Sequence, residues 1–160
     1  MKQMNHTEAA GVYERYFSTV YKVCFLYMKN HADAQDMTQE TFYRMLHCPF
    51  RYESEEKTKA WLIVTASNLC KNQLKKWWIR NRVNYEEVIH EVAQTKDEGT
   101  YGSDLYRAVI EMEDKYAIPT YLYYYEGYKT GEIANLLQVK QSTVQTRLAR
   151  ARELLKLELD

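Results

Sequence analysis

Glycine and proline are scarce in this chain, 5 and 2 among 160 residues. Tight reversals draw on glycine for positive φ and on proline for a pre-set φ. A chain with so little of either has material for few turns, and must be built from few, long elements. The apolar residues say which kind. Val12, Tyr16, Val20, Val23 and Tyr27 recur at steps of three and four, the spacing of one face of a helix. The expected fold class is therefore all-α.

Further helices follow along the chain. In "NHADAQDMTQETFYRML", Asn30 or Asp33 can cap a helix whose apolar face holds Met37, Phe42, Met45 and Leu46. Pro49 ends it, and "HCPFRYESEEKT" is a loop in which Ser54 or Thr58 can start the next helix. That helix, "KAWLIVTASNLCKNQLKKWWIRNR" over 59–82, buries Leu62, Ala66, Leu69 and Leu74. Trp61, Thr65, Asn68, Asn72 and Lys75 or Lys76 fall on another face, so its polar groups form a stripe. The segment 83–103, acidic and ending in Gly99, Gly102 and Ser103, reads as a flexible linker. A second domain begins at 104 with one helix, "SDLYRAVIEMEDKY", carrying Leu105, Val109 and Met112 on one side. Pro119 suits the first turn of "PTYLYYYEG", with Gly127 as its stop. Thr130 can cap "GEIANLL". Ser142 and Gln145 fit an S-x-x-Q capping box opening the last helix, whose Val144, Leu148 and Leu155 face inward.

Charge is segregated beneath a net charge of zero. Residues 61–82 carry 5 basic side chains and no acidic one, 83–126 carry 3 basic and 10 acidic, and 127–160 carry 6 basic and 4 acidic. Two cationic segments flanking an acidic one imply two sites that attract polyanions. Three cysteines, Cys24, Cys48 and Cys70, with no CxxC pair, point to neither a disulfide framework nor a zinc knuckle. No apolar run approaches the roughly 20 residues of a membrane span, and the N-terminus lacks the build of a signal peptide. A cytoplasmic protein with no cofactor and no metal is expected.

"TGEIANLLQVKQSTVQTRLARAR" has the build of a helix-turn-helix: a short helix with small Ala134 at the crossing, a three- to four-residue turn, then a longer helix. A helix fits the major groove, and its first turns must hold short or hydrogen-bonding side chains. Ser142, Thr143, Gln145, Thr146 and Ala149 answer that need, while Lys140, Arg147 and Arg150 can reach phosphates. The stripe on 59–82 suits unpaired bases instead, since rings stack on bases and amides bond base edges that a duplex hides. Trp77 and Trp78 fit core packing as well as base stacking. Catalytic readings do poorly: the histidines are scattered, and HExxH, GxSxG and GxxxxGK[ST] are absent. Asp33, Asp36 and Glu40 form an acidic cluster at helical spacing, better suited to docking a basic partner than to metal-dependent nucleic-acid cleavage.

"DAQDMTQETFYRML", "KAWLIVTASNLCKNQLKK" and "YYYEGYKTGEIANLLQVKQSTVQTRLARARELLK", in that order and spacing, resemble bacterial RNA polymerase sigma factors of the extracytoplasmic-function group. The resemblance implies a region 2-like domain over 1–82, a linker over 83–103 and a region 4-like helix-turn-helix domain over 104–160. It implies that Asp33, Asp36, Gln39, Glu40 and Phe42 bind the clamp helices of core polymerase. Trp61, Asn68 and Asn72, with Lys75 and Lys76, would open the −10 promoter element, helped by Phe50 and Arg51 in the preceding loop. Lys140, Ser142, Thr143, Gln145, Thr146, Arg147, Ala149 and Arg150 would meet the −35 duplex, and the second domain would contact the polymerase flap. An anti-sigma partner is a further family expectation. Alignment on "KAWL" sets Trp77 and Trp78 about four turns beyond the melting position, so their likeness to the tryptophan pair of primary sigma factors is a coincidence. Gln138 stands where the family has glycine. The alternative is a helix-turn-helix regulator that binds duplex DNA without polymerase, which would leave the helices at 33–46 and 59–76 without work.

Overall fold

A computed structural model of the chain describes residues 4–47, 53–81 and 104–159. Those residues form seven helices and no strand, an all-α fold. The chain divides into two compact units, 1–81 and 82–160. The sequence-predicted linker 83–103 and the loop residues Cys48, Pro49, Phe50 and Arg51 lie outside the described residues.

The first unit holds α1 (His6–Met28), α2 (His31–His47) and α3 (Glu55–Asn81). Each helix starts where a side chain replaces a missing turn. The Asn5 side chain accepts the Glu8 N–H at 2.8 Å, and the Glu8 carboxylate accepts the Asn5 N–H at 3.1 Å. Asn30, rather than Asp33, caps α2, its Oδ1 accepting the Asp33 N–H at 2.8 Å. Ser54, rather than Thr58, opens α3, its Oγ accepting the Lys57 N–H at 3.2 Å. Only Lys29 and Asn30 join α1 to α2, so the two helices must run antiparallel. Lys29 makes the reversal in the left-handed region, φ 64°, with its N–H on the Phe25 carbonyl.

The core of this unit combines Val20, Val23, Leu26, Ala34, Phe42, Met45, Leu62, Ile63 and Ala66. Thr38, Thr41 and Thr58 are fully buried, but each hydroxyl donates to the carbonyl four residues back, at 2.7, 2.7 and 2.9 Å. Burial therefore leaves no bonding capacity unmet at these hydroxyls. Two sequence expectations give way here. Leu46 is 48% exposed, because it lies about 95° from the centre of the stripe formed by Ala34, Thr38, Thr41, Phe42 and Met45. Leu69 and Leu74 are half-buried rather than core.

The second unit holds α4 (Asp104–Glu111), α5 (Asp114–Tyr124), α6 (Thr130–Leu137) and α7 (Gln141–Leu159). The single helix expected from 103 to 116 is broken. Met112 donates to the Val109 carbonyl at 3.1 Å and ends α4, while the Glu113 carbonyl accepts from Tyr116 and Ala117 and starts α5. Pro119 is thus inside a helix, not at its first turn. Its missing N–H removes one bond, to the Lys115 carbonyl, and burial of Ala117, Ile118, Tyr121 and Leu122 offsets that loss. Gly127 does follow the helix end, at φ 75°. Lys129, not Thr130, precedes α6, and the Glu132 carboxylate accepts the Lys129 N–H at 2.9 Å.

Between α6 and α7 lie three residues, 138–140. Gln138 adopts φ 56°, ψ 47°, where glycine is the low-strain choice. The Lys140 carbonyl accepts the Thr143 and Val144 N–H groups at 3.0 and 3.2 Å, so α7 begins one residue before Ser142. Ser142 is its second helical residue, and the expected Ser142–Gln145 capping box cannot form from there. We expect Gln138→Gly to stabilise the second unit by about 0.5–1 kcal/mol, since it relieves the left-handed strain. Thermal denaturation of the two proteins measures this; an unchanged or lowered midpoint would contradict it.

Candidate nucleic-acid and partner surfaces

The amphipathic build of α3 sets up the first surface. Thr58, Leu62, Ile63, Ala66, Ser67 and Cys70 are buried, and define one side of the helix. Trp61, Thr65, Asn68, Asn72 and Lys75 centre about 150° round from that side. Asn68, Asn72, Lys71, Lys75 and Lys76 are exposed, while Trp61 and Thr65 are half-buried. The stripe read from the sequence is therefore a real face, offering amide donors and acceptors, ammonium groups and part of an indole. Trp77 and Trp78 are half-exposed and lie edge to face, 5.0 Å between centroids, so they are not a buried core pair.

On α2, Asp33 and Asp36 are exposed and Glu40 half-exposed. Asp33 is engaged in the helix start, accepting from the Asn30 side chain at 2.8 Å, and Glu40 pairs with Arg44 at 3.2 Å. Gln39 donates to the Tyr13 hydroxyl at 3.2 Å. No cluster of His, Cys, Asp or Glu with metal-holding geometry occurs among the described residues. Phe42 is placed differently from the surface contact expected of it. It is 3% exposed, edge-on to Tyr13 at 4.8 Å, because its position falls inside the buried stripe of α2.

α2 and α3 enclose a groove of about 760 Å³. Asp36, Gln39, Glu40 and Phe42 line it from α2, and Asn72 and Lys76 from α3. The fold thus brings together residues the sequence had assigned to two different jobs. Asp33, Trp61 and Asn68 lie outside it. Tyr43 and Leu46, 56% and 48% exposed, add apolar area to the same groove. Sequence reasoning missed them as surface residues, because Leu46 was counted with the core and Tyr43 carries no periodic signal of its own. Phe50 and Arg51 lie outside the described residues.

In the second unit, Val144, Leu148, Ala151 and Leu155 bury one side of α7. Ser142, Gln145, Thr146 and Ala149 centre about 140° away and are exposed. Thr143 and Arg147 are half-exposed, and Lys140 and Arg150 exposed. Thr146 turns its hydroxyl to the Ser142 carbonyl at 2.9 Å, and Arg150 pairs with Glu153 at 2.9 Å. Gln141 donates to Thr130 Oγ1 at 2.9 Å, tying the start of α7 to the start of α6. Arg152 donates to the Tyr124 hydroxyl at 2.9 Å, a bond that raises its pKa above the usual guanidinium value. Ala134, 6% exposed, lets α6 and α7 cross closely. A short helix, a three-residue turn and a second helix with a polar outer face make a helix-turn-helix.

Comparison with known proteins assigns both units. Residues 12–79 match the Sigma-70 region 2 family and residues 98–155 the Sigma-70 region 4 family. The chain is an RNA polymerase sigma factor of the sigma-70 family. Within that family it belongs to the extracytoplasmic-function group. It is 31% identical over 143 residues to the RNA polymerase sigma factor SigV of Bacillus subtilis, which spans 87% of this chain and 83% of that protein. It is 24% identical over 173 aligned positions to the ECF sigma factor SigW of the same organism, spanning 99% and 92%. The fold matches the sigma factor RpoE in a complex with the anti-sigma factor NepR from Bartonella quintana. That match has a TM-score of 0.68 and 16% identity, and covers 92% of this chain and 93% of that one. No helix among the described residues is long and apolar enough to cross a membrane.

Glu153 holds Arg150 and adds an acid next to the polar face of α7. We expect Glu153→Gln to tighten duplex DNA binding a few-fold at low salt, with a salt dependence steeper by up to about one phosphate contact. Fluorescence anisotropy at a series of salt concentrations reads both; no change in either would mean that Arg150 is not a phosphate contact.

Proposed function

We propose that the two units divide promoter recognition between them, the first engaging polymerase and parted strands at the −10 element, the second reading the −35 element as duplex. One observation carries this reading: the polar stripe of α3 lies opposite its buried side, with Asn68, Asn72, Lys71, Lys75 and Lys76 all exposed. Lysines neutralise the backbone, and the amides and Trp61 receive bases that have left the stack. Stacking and amide contacts of roughly 1–3 kcal/mol per base offset an extrusion cost of a few kcal/mol per base. Strand opening then runs on binding energy, in keeping with a chain that lacks a nucleotide-binding motif.

Core polymerase docks on α2. Asp36, Gln39 and Glu40 supply acceptors, with Asp33 at the edge, and Tyr43 and Leu46 supply apolar area beside them. A basic helical partner with apolar side chains fits that mixture; Phe42 supports the surface from beneath. On α7, Gln145, Thr146 and Ser142 face base edges, Ala149 permits close approach, and Thr143, Lys140, Arg147 and Arg150 approach phosphates. The polymerase flap is the further contact of the second unit. The domain limits that follow are 1–82 and 104–160, joined by 83–103, and the site of action is the cytoplasm. The similarity to a sigma factor solved with an anti-sigma factor supports an anti-sigma partner here as well. The acidic segment 83–126 repels phosphate, so tight promoter binding requires polymerase to hold both units at once.

The experiment is open-complex formation by reconstituted holoenzyme, read by permanganate footprinting of unpaired thymines. Asn68→Ala with Asn72→Ala should reduce strand opening at least ten-fold while duplex binding of the −35 element persists. Unchanged opening would remove α3 from this role. Separately, Asp36→Lys with Glu40→Lys should abolish co-purification with core polymerase while thermal stability changes little; retained co-purification would move the docking site off α2.

A further inference from the structure

The second unit holds a cation that none of the roles above uses. Arg152 is exposed on α7, and its Nε donates to the Tyr124 hydroxyl of α5 at 2.9 Å. The Tyr124 ring is itself braced, edge to face with Tyr123 at 4.9 Å between centroids. No carboxylate pairs with Arg152 among the described residues, whereas Arg150 has Glu153 at 2.9 Å. A guanidinium held by a neutral hydroxyl keeps its full charge for an anion from outside.

Helix geometry says where that charge is aimed. From the centre of the polar face formed by Ser142, Gln145, Thr146 and Ala149, Arg152 lies about 70° to one side and Arg150 about 90° to the other. Arg147 falls on the Arg150 side and Lys156 on the Arg152 side. Gln145, Ala149, Arg152 and Lys156 follow at steps of four, three and four, all exposed, so the face continues down α7 as one stripe. A helix seated in a major groove about 12 Å wide has a phosphate backbone along each flank. Arg147 and Arg150 can serve one backbone, and Arg152 is placed for the other.

We propose that Arg152 is a phosphate contact to duplex DNA on this second flank of α7, and that Tyr124 positions its guanidinium for it. The proposal rests on the reading of α7 as the duplex-facing helix, and extends that interface to α5. Donor chemistry supports it. With Nε taken up by Tyr124, the two Nη groups keep their N–H donors, in one plane, for another partner. That fork matches the oxygens of a phosphodiester. The bond to Tyr124 also fixes a long side chain before DNA arrives, so less rotamer freedom is lost on binding. Tyr124 thus acts through Arg152 and not by touching DNA.

The test measures the full chain by fluorescence anisotropy over a series of salt concentrations. One labelled duplex is a promoter used by reconstituted holoenzyme, and the other is of unrelated sequence. Arg152→Gln should weaken binding to both duplexes about three- to ten-fold at low salt, and lower the salt slope by about one phosphate contact. Arg152→Lys should restore the slope. Tyr124→Phe should weaken binding about two- to five-fold with the slope unchanged, since it alters order and not charge. Combined with Arg152→Gln it should cost nothing further. Gln145→Ala should erode the preference for the promoter duplex, and separates the proposal from the reading beneath it. If that preference is lost while Arg152→Gln leaves affinity and slope unchanged, the phosphate contact is overturned and duplex reading by α7 stands. If neither variant alters binding, both fall. A loss confined to the promoter duplex would overturn the assignment to phosphate. Additive losses, or a Tyr124→Phe protein that has a lower thermal midpoint but binds as before, would overturn the positioning role.

Discussion

Burial of one side of α3 against α1 and α2 is the constraint from which the rest of the first unit follows. Leu62, Ile63, Ala66 and Cys70 must leave water, and a helix that turns by about 100° per residue then has no choice about its other side. Asn68, Asn72 and Lys75 face solvent because the leucine and isoleucine do not. The core thus acts at a distance from any nucleic acid, by fixing the rotation of the helix about its own axis. A rotational error would carry Asn68 and Asn72 away from the fully exposed side and toward the flanks of the helix.

Three of the buried hydroxyls in the first unit are handled locally. Thr38, Thr41 and Thr58 satisfy their hydroxyls on their own helices, so they add no interhelical directionality. Asn30 and Ser54 stop the chain from fraying into the loops by taking up N–H groups at helix starts. Between α1 and α3 the apolar packing is joined by the Arg15–Glu55 ion pair and by the Tyr16 hydroxyl, which donates to the Glu55 carboxylate at 3.4 Å. In the second unit the equivalent cross-tie is Gln141 to Thr130, which fixes where α7 begins relative to α6. Gln138 in the left-handed region makes the same turn tight at some cost in strain.

Much was legible in the residues. Val12, Val20 and Val23 announced α1 by spacing alone, and Val144, Leu148 and Leu155 did so for α7. Asn30, Ser54 and Gly127 were readable as punctuation because their local chemistry is largely independent of the rest of the chain. The polar stripe on α3 and the outer face of α7 were readable for the same reason that the cores were, since one periodicity defines both sides. The misreadings share a cause. Pro119 looked like a helix start and Ser142 like a cap, yet burial of Ile118 and Leu122, and the Lys140 carbonyl at the turn, moved both helix starts earlier in the chain. Leu46 turned outward while Phe42, read on the same apolar face, stayed inward, because a hydrophobic residue at the edge of a stripe is assigned by the partner helix and not by its own polarity.

From the residues alone came the helical class, the order of the elements, the helix-turn-helix and the family, since each depends on contacts within a few positions along the chain. Tertiary packing decided which members of each stripe face water, that Asp36 and Glu40 share a groove with Asn72 and Lys76, and that Arg15 meets Glu55. Those pairings join positions some 30 to 40 apart in the chain. No local periodicity encodes them, because they depend on how helices are rotated and offset when their apolar sides close on one another.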